Sequence, residues 1–320
     1  MEDSPIKDLR SSMGNDDSVI KNRKKKRKKK RKKIIIFSLL GIFLIILYFI
    51  LDVTFRVSGM ISDIHVPLET EQLRDDGFEL GQDPFSVLIL GIEGGRSDTM
   101  MLATVNPDKD STYLLSIARD TKVYIVGNGS TTRINHAFAY GGATMSINTI
   151  QRFLDVPIDF YVELDMDGFG PLVDAIGGVT VNNDLAFSEE GHYFPFGEIS
   201  LNGEQALAFV RMRMQDPQGD FGRQQRQRDV TEAMIREMAG VSVVTRYQNI
   251  LNAVGDNMFT DLALGEIIAI STGYTSALGN ITNLDLRGNG QMINGMALQV
   301  VPEEERLAMS SLLRTHLGLE

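Results

Sequence analysis

The chain has 320 residues, a formal net charge of −10 at pH 7 and no cysteine, so disulfides, cysteine–metal sites and thiol nucleophiles are excluded. The charge is unevenly distributed, since twelve of the thirteen residues 21–33 are Lys or Arg, whereas residues 52–320 hold 18 basic and 37 acidic residues. This length suffices for one large domain or two modest ones.

The N-terminal region predicts a membrane anchor. Residues 1–33 form a disordered basic tail, and residues 34–51 follow as an uncharged apolar run long enough to cross a bilayer as a helix. DVTFRVSG after this run offers no convincing cleavage site, which favours an uncleaved signal anchor over a cleaved signal peptide. Because the bases flank only one side, residues 1–33 are expected in the cytoplasm and residues 52–320 outside the cell. The basic run is then expected to contact anionic membrane lipid rather than nucleic acid.

Regular apolar runs separated by turn signals begin at residue 84, after an acid-rich connector, 52–83. The continuous apolar run FSVLILGI (85–92) predicts a strand that is buried on both faces. MMLATV (100–105) and TYLLSI (112–117) predict a hairpin, because NPDKDS between them is a strong turn signal.

Strands and helices then alternate, which predicts an α/β (α+β) fold with a central mixed sheet flanked by helices on both faces. We expect one core over 84–240 and a mostly helical part, 241–320, packed on it. The remaining predicted elements are helix 143–155, strand 158–164, helix 167–178, strand 178–181, helix 204–211, helix 222–239 ending at Gly240, two or three helices in 241–278, strand 282–286 and helix 303–317.

Familiar enzyme signatures are missing from the sequence. The four histidines are scattered without metal-ligand spacing, and neither a G-x-S-x-G elbow nor a Walker A loop occurs. Arginine and carboxylate therefore remain as the candidate chemistry.

Five arginines lie in VRMRMQDPQGDFGRQQRQR (210–228). On the predicted helix, Arg223 and Arg226 extend the apolar stripe of Val230, whereas Arg228 lies on the opposite side. A guanidinium facing the core requires an anion, and phosphate suits its planar fork near a helix N-terminus. The alternative is pairing with structural acids, with Asp220 serving as an N-cap.

Two further Arg/Asp clusters follow predicted strands. GGRSDTMML (94–102) places Arg96 and Asp98 beside a Gly-Gly turn, and SIARDTKVYI (116–125) places Arg119 and Asp120 after an apolar run. Strand ends are where α/β sheets bind ligands. A capped turn and a solvated surface ion pair are the alternatives.

Several long blocks resemble the LytR–CpsA–Psr family in the family's order over residues 84–240. The blocks are LILGIEGGRSDTMMLATVNP, LLSIARDTKVYI, INHAFAYGGA, FYVELDMDGFGPLVDAIGGVTV, LNGEQALAFVRMR and DPQGDFGRQQRQ. The tail and single anchor also match the family pattern.

The resemblance implies a Gram-positive surface phosphotransferase. Such proteins take an anionic glycopolymer, teichoic acid or capsular polysaccharide, from a polyprenyl-pyrophosphate carrier. They join it through a phosphodiester to the C6 hydroxyl of N-acetylmuramic acid in peptidoglycan, assisted by Mg²⁺. A hydrophobic pocket for the lipid tail is part of the implied fold.

The resemblance also assigns roles to residues. It implies a pyrophosphate site of Arg96, Arg119, Arg211, Arg213 and Arg223, with Gln225 or Arg226 sharing the role. It implies Mg²⁺ ligation by Asp98 and Asp220, while Glu93 stands where the family commonly has Asp. Either Asp98 or Asp220 could deprotonate the acceptor hydroxyl. Together Arg119, Asp98, Asp220, Arg211 and Arg213 are the expected catalytic set.

Two other functions fit parts of the sequence. A membrane-bound transcriptional attenuator would use the basic tail on nucleic acid, but the large acidic domain is expected outside the cell. A non-catalytic wall-polymer or lipid-carrier binding protein would use the same arginines without turnover.

Overall fold

The computed structural model describes residues 65–67, 73–74, 78–239 and 243–319. The predicted tail 1–33 and the predicted span 34–51 lie outside these ranges. Among the described residues, no helix has the length and apolar character needed to cross a bilayer.

Short strands and medium-length helices make up the chain. The strands are β1 (Phe85–Glu93), β2 (Arg96–Asn106), β3 (Ser111–Ile117), β4 (Lys122–Tyr124), β5 (Thr131–Arg133), β6 (Phe160–Asp165), β7 (Val179–Asn183), β8 (Phe187–Glu189), β9 (His192–Phe194), β10 (Gly197–Leu201), β11 (Met258–Thr260), β12 (Ile281–Leu286), β13 (Asn289–Ile293) and β14 (Met296–Val300). The α-helices are α1 (His136–Leu154), α2 (Met166–Ile176), α3 (Gly203–Arg211), α4 (Asp220–Ala239), α5 (Val243–Val254), α6 (Leu264–Gly273), α7 (Thr275–Gly279) and α8 (Glu303–His316), and Gly255–Asn257 form a 3₁₀ turn.

The central sheet has the strand order β11-β6-β1-β2-β3-β12. Two pairs, β1 with β6 and β3 with β12, are parallel, and the other three are antiparallel, which confirms the predicted mixed sheet. The strands β1, β3, β6 and β12 therefore run in one direction, and their carboxyl ends meet at the same edge. The predicted Arg/Asp clusters at 96–98 and 119–120 lie at this edge.

A two-residue turn connects β1 to β2 at the same edge. Gly94 and Gly95 both have positive φ, 57° and 74°, and Glu93 pairs directly with Arg96 across the turn. Two consecutive positive φ values suit glycine, because a Cβ makes this conformation unfavourable. The turn holds Glu93 and Arg96 close to the carboxyl ends of the other strands.

The first face of the sheet is covered by α1 and α8. Leu88, Leu90 and Ile92 of β1 point into this core and meet Ile147 of α1 and Leu313 of α8. These side chains are all at most 5% exposed, so this face forms the dry core predicted from the apolar runs.

The second face of the sheet is only partly filled. Val87, Ile89 and Gly91 point away from the first core and are half-buried, because they line a cavity beneath α2, α4 and α6. The sequence predicts a β1 buried on both faces, and the structure differs: one apolar face packs against helices and the other lines an enclosed space.

The C-terminal part contains more strand than expected. β12 extends the central sheet beside β3, β11 joins the opposite edge beside β6, and β13 and β14 form a separate hairpin. The strands of three to six residues are too short to give a clear period in the sequence. Residues 243–319 therefore complete the central sheet as well as packing on it.

A buried histidine joins α8 to the first face of the sheet. His316 is 1% exposed, its Nδ1 lies 2.8 Å from Thr104 Oγ1, and its Nε2 lies 3.0 Å from Ser111 Oγ. Its ring stacks on Tyr113 at 4.1 Å between centroids. Burial, and then the nearby Lys109, lower the pKa of His316 to about 4. The ring is therefore neutral in the folded state at pH 7.

We expect His316 to make the folded chain sensitive to acid. The unfolded chain binds a proton at His316 near pH 6.5 and the folded chain only near pH 4, so stability is complete above 6.5 and falls as the pH drops towards 4. The loss should be about 3 kcal/mol. Urea unfolding of the chain and of His316→Gln at pH 7 and pH 4.5 measures it as the difference between the two pH dependences. Equal pH dependence in both proteins would contradict a neutral buried ring.

Candidate active site

Side chains from three separated segments meet at the carboxyl edge of the sheet. Arg119, which follows β3, donates from Nη1 to Asp98 Oδ2 of β2 at 2.9 Å. Its Nη2 lies 3.8 Å from Asp220 Oδ1 at the start of α4. One guanidinium thus bridges two carboxylates that are 122 positions apart in the numbering of the chain.

Two more arginines lie close to Asp220. Arg223 Nη2 lies 2.6 Å from Asp220 Oδ1, and Arg213 Nε lies 3.8 Å from the same oxygen. Burial lowers the pKa of Arg223 from its ordinary value, Asp220 opposes this, and the neighbouring Arg119 lowers it further. We call Arg119, Arg213 and Arg223 with Asp98 and Asp220 the arginine cluster. Three arginines and two carboxylates leave the cluster with a net positive charge for an anionic ligand.

Arg211 lies next to the cluster at the last residue of α3. Its Nη2 is 3.3 Å from Glu93 Oε1, and its Nη1 is 3.8 Å from Glu190 Oε1, near the tip of the β8–β9 hairpin. A capping box at the opposite end of α3, between Asn202 and Gln205, fixes where this helix starts. The helix thereby positions Arg211 next to the end of β1.

Arg211 and Arg223 line a polar cavity of about 230 Å³, here called the inner cavity. Buried Nε atoms of Arg211 and Arg223 have no acceptor among the described residues. Unused buried guanidinium donors are costly unless an anion completes them. The inner cavity is lined by Gly91, Glu93, Asp98, Thr99, Met166, Val210, Arg211, Arg223 and Gln227.

An apolar cavity of about 250 Å³ opens from the inner cavity. The two cavities share Gly91, Thr99, Met166, Val210 and Gln227 in their walls. The apolar cavity continues along the second face of the sheet to Phe85 and Val105, near the amino end of β1. Its other wall is α4, which contributes Thr231, Met234, Ile235 and Met238.

Arg96 lines another cavity at the cluster. With Arg119, Arg133 and Asn135 it lines a second polar cavity of about 330 Å³, here called the outer cavity, which shares Glu93 and Asp98 with the inner one. The outer cavity is lined by Glu93, Gly94, Arg96, Asp98, Arg119, Asp120, Arg133 and Asn135.

The structure does not bring Arg226 to the cluster. Its Nη1 pairs with Asp216 Oδ2 at 2.5 Å, its Nε donates to the carbonyl of Phe209 at 3.2 Å, and its Nη2 donates to the carbonyl of Met212 at 2.5 Å. The guanidinium also lies over the Phe187 ring at 5.4 Å. Its donors are therefore used in holding the loop after α3. Gly222 is needed here, because an added Cβ would overlap the Asp216 carboxylate.

Gln225 is also directed elsewhere. Its Nε2 donates to Asp229 Oδ1 at 2.8 Å, and its Oε1 accepts from Arg228 Nη2. Burial raises the pKa of Asp229 to about 6, and the bond from Gln225 opposes this. Arg228 is 3% exposed and pairs with Asp285 of β12 at 2.5 Å.

Several residues around the arginine cluster are absent from the sequence-based set. Asn135 donates from Nδ2 to Asp98 Oδ1 at 3.5 Å, Glu190 pairs with Arg211, and Gln227 lines both the inner and the apolar cavity. Asn135 lies in the block INHAFAYGGA, which carries a family resemblance but no assigned role. Glu190 and Gln227 give no signal in the sequence, because only the packing of α3 and α4 brings them there.

The carboxylates do not form a complete metal cage. Among the described residues, no group of three or more His, Cys, Asp or Glu side chains is arranged to hold a metal ion. Mg²⁺ commonly binds one or two carboxylates and completes its shell with water and substrate phosphates. Asp98 and Glu93 both border the inner cavity, so their oxygens fit this mode of binding.

A mixed sheet with an arginine cluster at one edge and an apolar cavity opening beneath it defines a protein suited to an amphiphile with an anionic head. The chain belongs to the LytR–CpsA–Psr family, since the family model described as LytR_cpsA_psr matches residues 53–315.

Similar proteins agree with this membership. The chain is 45% identical over 274 residues to the polyisoprenyl-teichoic acid–peptidoglycan teichoic acid transferase TagU of Halalkalibacterium halodurans, covering 82% of this chain and 90% of that protein. The TagU of Enterococcus faecalis is also 45% identical, over 245 residues, covering 74% of this chain and 81% of the relative.

Solved structures share the fold. The crystal structure of Bacillus subtilis TagU matches with a TM-score of 0.63 and 39% identity, covering 74% of this chain and 97% of that one. TagT bound to LIIa-WTA matches with a TM-score of 0.69 and 30% identity, covering 79% of this chain and all of that one, 100%.

Proposed function

We propose that this chain is a membrane-anchored phosphotransferase that moves an anionic glycopolymer from a polyprenyl-pyrophosphate carrier to peptidoglycan. The observation that carries the proposal is the junction between the inner cavity and the apolar cavity. Unsatisfied guanidinium donors suit a diphosphate, and the apolar walls suit the isoprenoid tail attached to it. The relatives whose names specify teichoic acid transfer to peptidoglycan support the same reaction.

The reaction needs no nucleotide. The oxygen of an acceptor hydroxyl, which we take to be the C6 hydroxyl of N-acetylmuramic acid, forms a bond to the glycan-side phosphorus. The bridging P–O bond breaks, and polyprenyl phosphate leaves with the electron pair. The hydroxyl proton passes to a carboxylate of the cluster, Asp98 or Asp220. A phosphodiester between glycopolymer and peptidoglycan results, and the phosphoanhydride supplies the driving energy.

The cluster stabilises the charge that develops in this step. Arg211 and Arg223 line the inner cavity, and Arg119 and Arg213 lie 3.8 Å from Asp220, the carboxylate that pairs with Arg223. Preorganised donors of this kind act most strongly where charge accumulates on phosphoryl oxygens. Mg²⁺, held by Asp98 and Glu93 with Asp220 nearby, would neutralise the same oxygens. We leave Gln225 and Arg226 out of the proposed diphosphate site because their polar groups are bound elsewhere.

Turnover separates this proposal from a non-catalytic binding protein. Purified full-length chain in detergent, given a polyprenyl-pyrophosphate glycan, a peptidoglycan fragment and Mg²⁺, is expected to release polyprenyl phosphate and to attach the glycan to the fragment. Chelation with EDTA tests the Mg²⁺ requirement. Binding of the donor without release would indicate a binding protein instead.

The proposed topology has its own test. Residues 1–33 are proposed in the cytoplasm and residues 52–320 outside the membrane of a Gram-positive cell. Protease added to intact, wall-stripped cells is then expected to digest an epitope at the C-terminus and to spare one at the N-terminus. The opposite result would contradict a surface enzyme.

A tryptophan in the apolar cavity should reduce use of long-chain donors. Ile235 of α4 lines this cavity, and Ile235→Trp would displace several methylenes of a bound tail, each worth about 0.8 kcal/mol. We expect the KM for a long polyprenyl donor to rise about tenfold and that for a one- or two-isoprene donor to change little. Ile268→Trp on α6, at a side chain that is 47% exposed, is the matched control. An equal effect on both donor lengths would place the tail elsewhere.

A further inference from the structure

The outer cavity lies next to the inner cavity. The two share only Glu93 and Asp98 among their lining residues. A cavity of about 330 Å³ is large enough for a sugar-sized group and is not needed for the diphosphate or its tail. Apart from Glu93, Asp98 and Arg119, its residues therefore have no role in donor binding as described above.

The polar groups of the outer cavity are incompletely used. Asn135 is 5% exposed, and its Oδ1 has no hydrogen-bond donor among the described residues. The amide orientation is fixed, because Nδ2 faces Asp98 Oδ1, and a flipped amide would bring two acceptors together. Asn135 lines the outer cavity, and a buried amide oxygen without a donor calls for a hydroxyl or N–H donor from a ligand.

Two guanidiniums supply positive charge to the same space. Arg96 is exposed and forms no ion pair with the described residues, and Arg133 uses only Nε, which donates to the carbonyl of Ala297 at 3.1 Å. Their positive potential reaches His136, whose pKa is lowered first by its burial and then by Arg96 and Arg133. Asp120 also lines the cavity, while Glu93 and Asp98 are paired with Arg211 and Arg119. Arg96 and the terminal nitrogens of Arg133 therefore remain available for an oxyanion.

The position of the outer cavity fits the acceptor. In an in-line displacement at phosphorus, the attacking oxygen enters opposite the leaving group. The leaving polyprenyl phosphate belongs with the apolar cavity, and the outer cavity borders Asp98 but shares no lining residue with the apolar cavity. We propose that the outer cavity binds the acceptor glycan, with a hydroxyl donating to Asn135 Oδ1 and a carboxylate of the acceptor contacting Arg96 and Arg133. This assignment rests on the proposed function.

Kinetics with the full-length chain test the assignment. For Arg96→Gln/Arg133→Gln we expect the KM for a peptidoglycan fragment with a free stem carboxylate to rise at least tenfold, and the KM for the lipid-linked donor to change less than twofold. Arg96→Gln alone should give a smaller shift in the same direction, and its exposed position removes any risk to folding. Arg236→Gln, an exposed arginine of α4 paired with Glu232, is the matched control.

The alternative source of the oxyanion is a phosphate of the transferred polymer. In that case the double variant raises the KM for the donor and not that for the acceptor, and the assignment is overturned. Unchanged KM values for both substrates would also overturn it. If the wild-type chain releases no polyprenyl phosphate, the proposed function fails separately. Calorimetry with the peptidoglycan fragment alone then tests whether the outer cavity binds the acceptor. We expect the fragment to bind the double variant more weakly than the wild type, and equal binding to both would contradict the assignment.

Discussion

Arg119→Ala is expected to lower the rate of polyprenyl phosphate release about 10³-fold, the effect typical of a single arginine that stabilises a phosphoryl transition state. Arg119 lies 2.9 Å from Asp98 and 3.8 Å from Asp220, so its loss removes a cation and leaves two carboxylates facing the diphosphate. Repulsion between these carboxylates and the substrate adds to the lost stabilisation. Release is measured as kcat/KM with a polyprenyl-pyrophosphate glycan and a peptidoglycan fragment.

Two variants make the Arg119 result interpretable. Arg119→Lys keeps the charge but loses the planar fork, so we expect it to recover only part of the activity. Arg236→Ala removes an exposed arginine that is 53% accessible and outside the cluster, and it should behave as the wild type. Release by Arg119→Ala within threefold of the wild-type rate would exclude Arg119 from the reaction.

The sequence predicts the central sheet well because its signals are local. The runs 85–92, 100–105 and 112–117 are apolar and are separated by turn-forming residues, and each lies within a strand of the sheet. The strands β4, β5, β8 and β9 have three residues each and carry no usable period. The apolar cavity is also invisible in the sequence, since a strand that faces a cavity has the same composition as one that faces packed helices.

Helical periodicity predicts which residues share a face of α4, but it does not predict which groups they contact. It places Arg223 and Arg226 on one stripe with Val230, and the structure buries Arg226 and Val230 and leaves the Arg223 side chain 12% exposed. The two arginines nevertheless meet different groups: Arg223 reaches Asp220 at the cavity, and Arg226 reaches Asp216 in the loop after α3. That loop is positioned by tertiary contacts, so the spacing of residues along the sequence could not predict which arginine pairs with Asp216.

Arg228 shows the same limit from the opposite side of α4. The sequence places it on the side of α4 away from the apolar stripe, yet it is 3% exposed. β12, from a distant part of the chain, joins the sheet next to β3 and brings Asp285 within 2.5 Å of Arg228. Burial on both sides of α4 is therefore a consequence of long-range strand pairing.

Arg226→Met is expected to lower the free energy of unfolding by about 3–5 kcal/mol, since removing one partner of a buried ion pair leaves the other charge uncompensated. Asp216 has a side chain only 6% exposed, and the carbonyls of Phe209 and Met212 lose their donor as well. The loop so released carries Arg213, so the KM for the donor should also rise. Urea unfolding gives the stability, and steady-state release gives the KM.

The double variant Arg226→Met/Asp216→Asn distinguishes the ion pair from simple packing. Replacing both charges removes the uncompensated carboxylate, so part of the lost stability should return, because buried pairs exchanged for uncharged groups are often close to neutral. Arg236→Met, on the exposed side of the same helix, should change the free energy of unfolding by less than about 0.5 kcal/mol. A loss below about 1 kcal/mol in Arg226→Met would show that the pair does not hold the loop. An unchanged rate of release together with a large loss of stability would separate Arg226 from the chemistry and leave it with the structural role that its four contacts, to Asp216, Phe209, Met212 and the Phe187 ring, indicate.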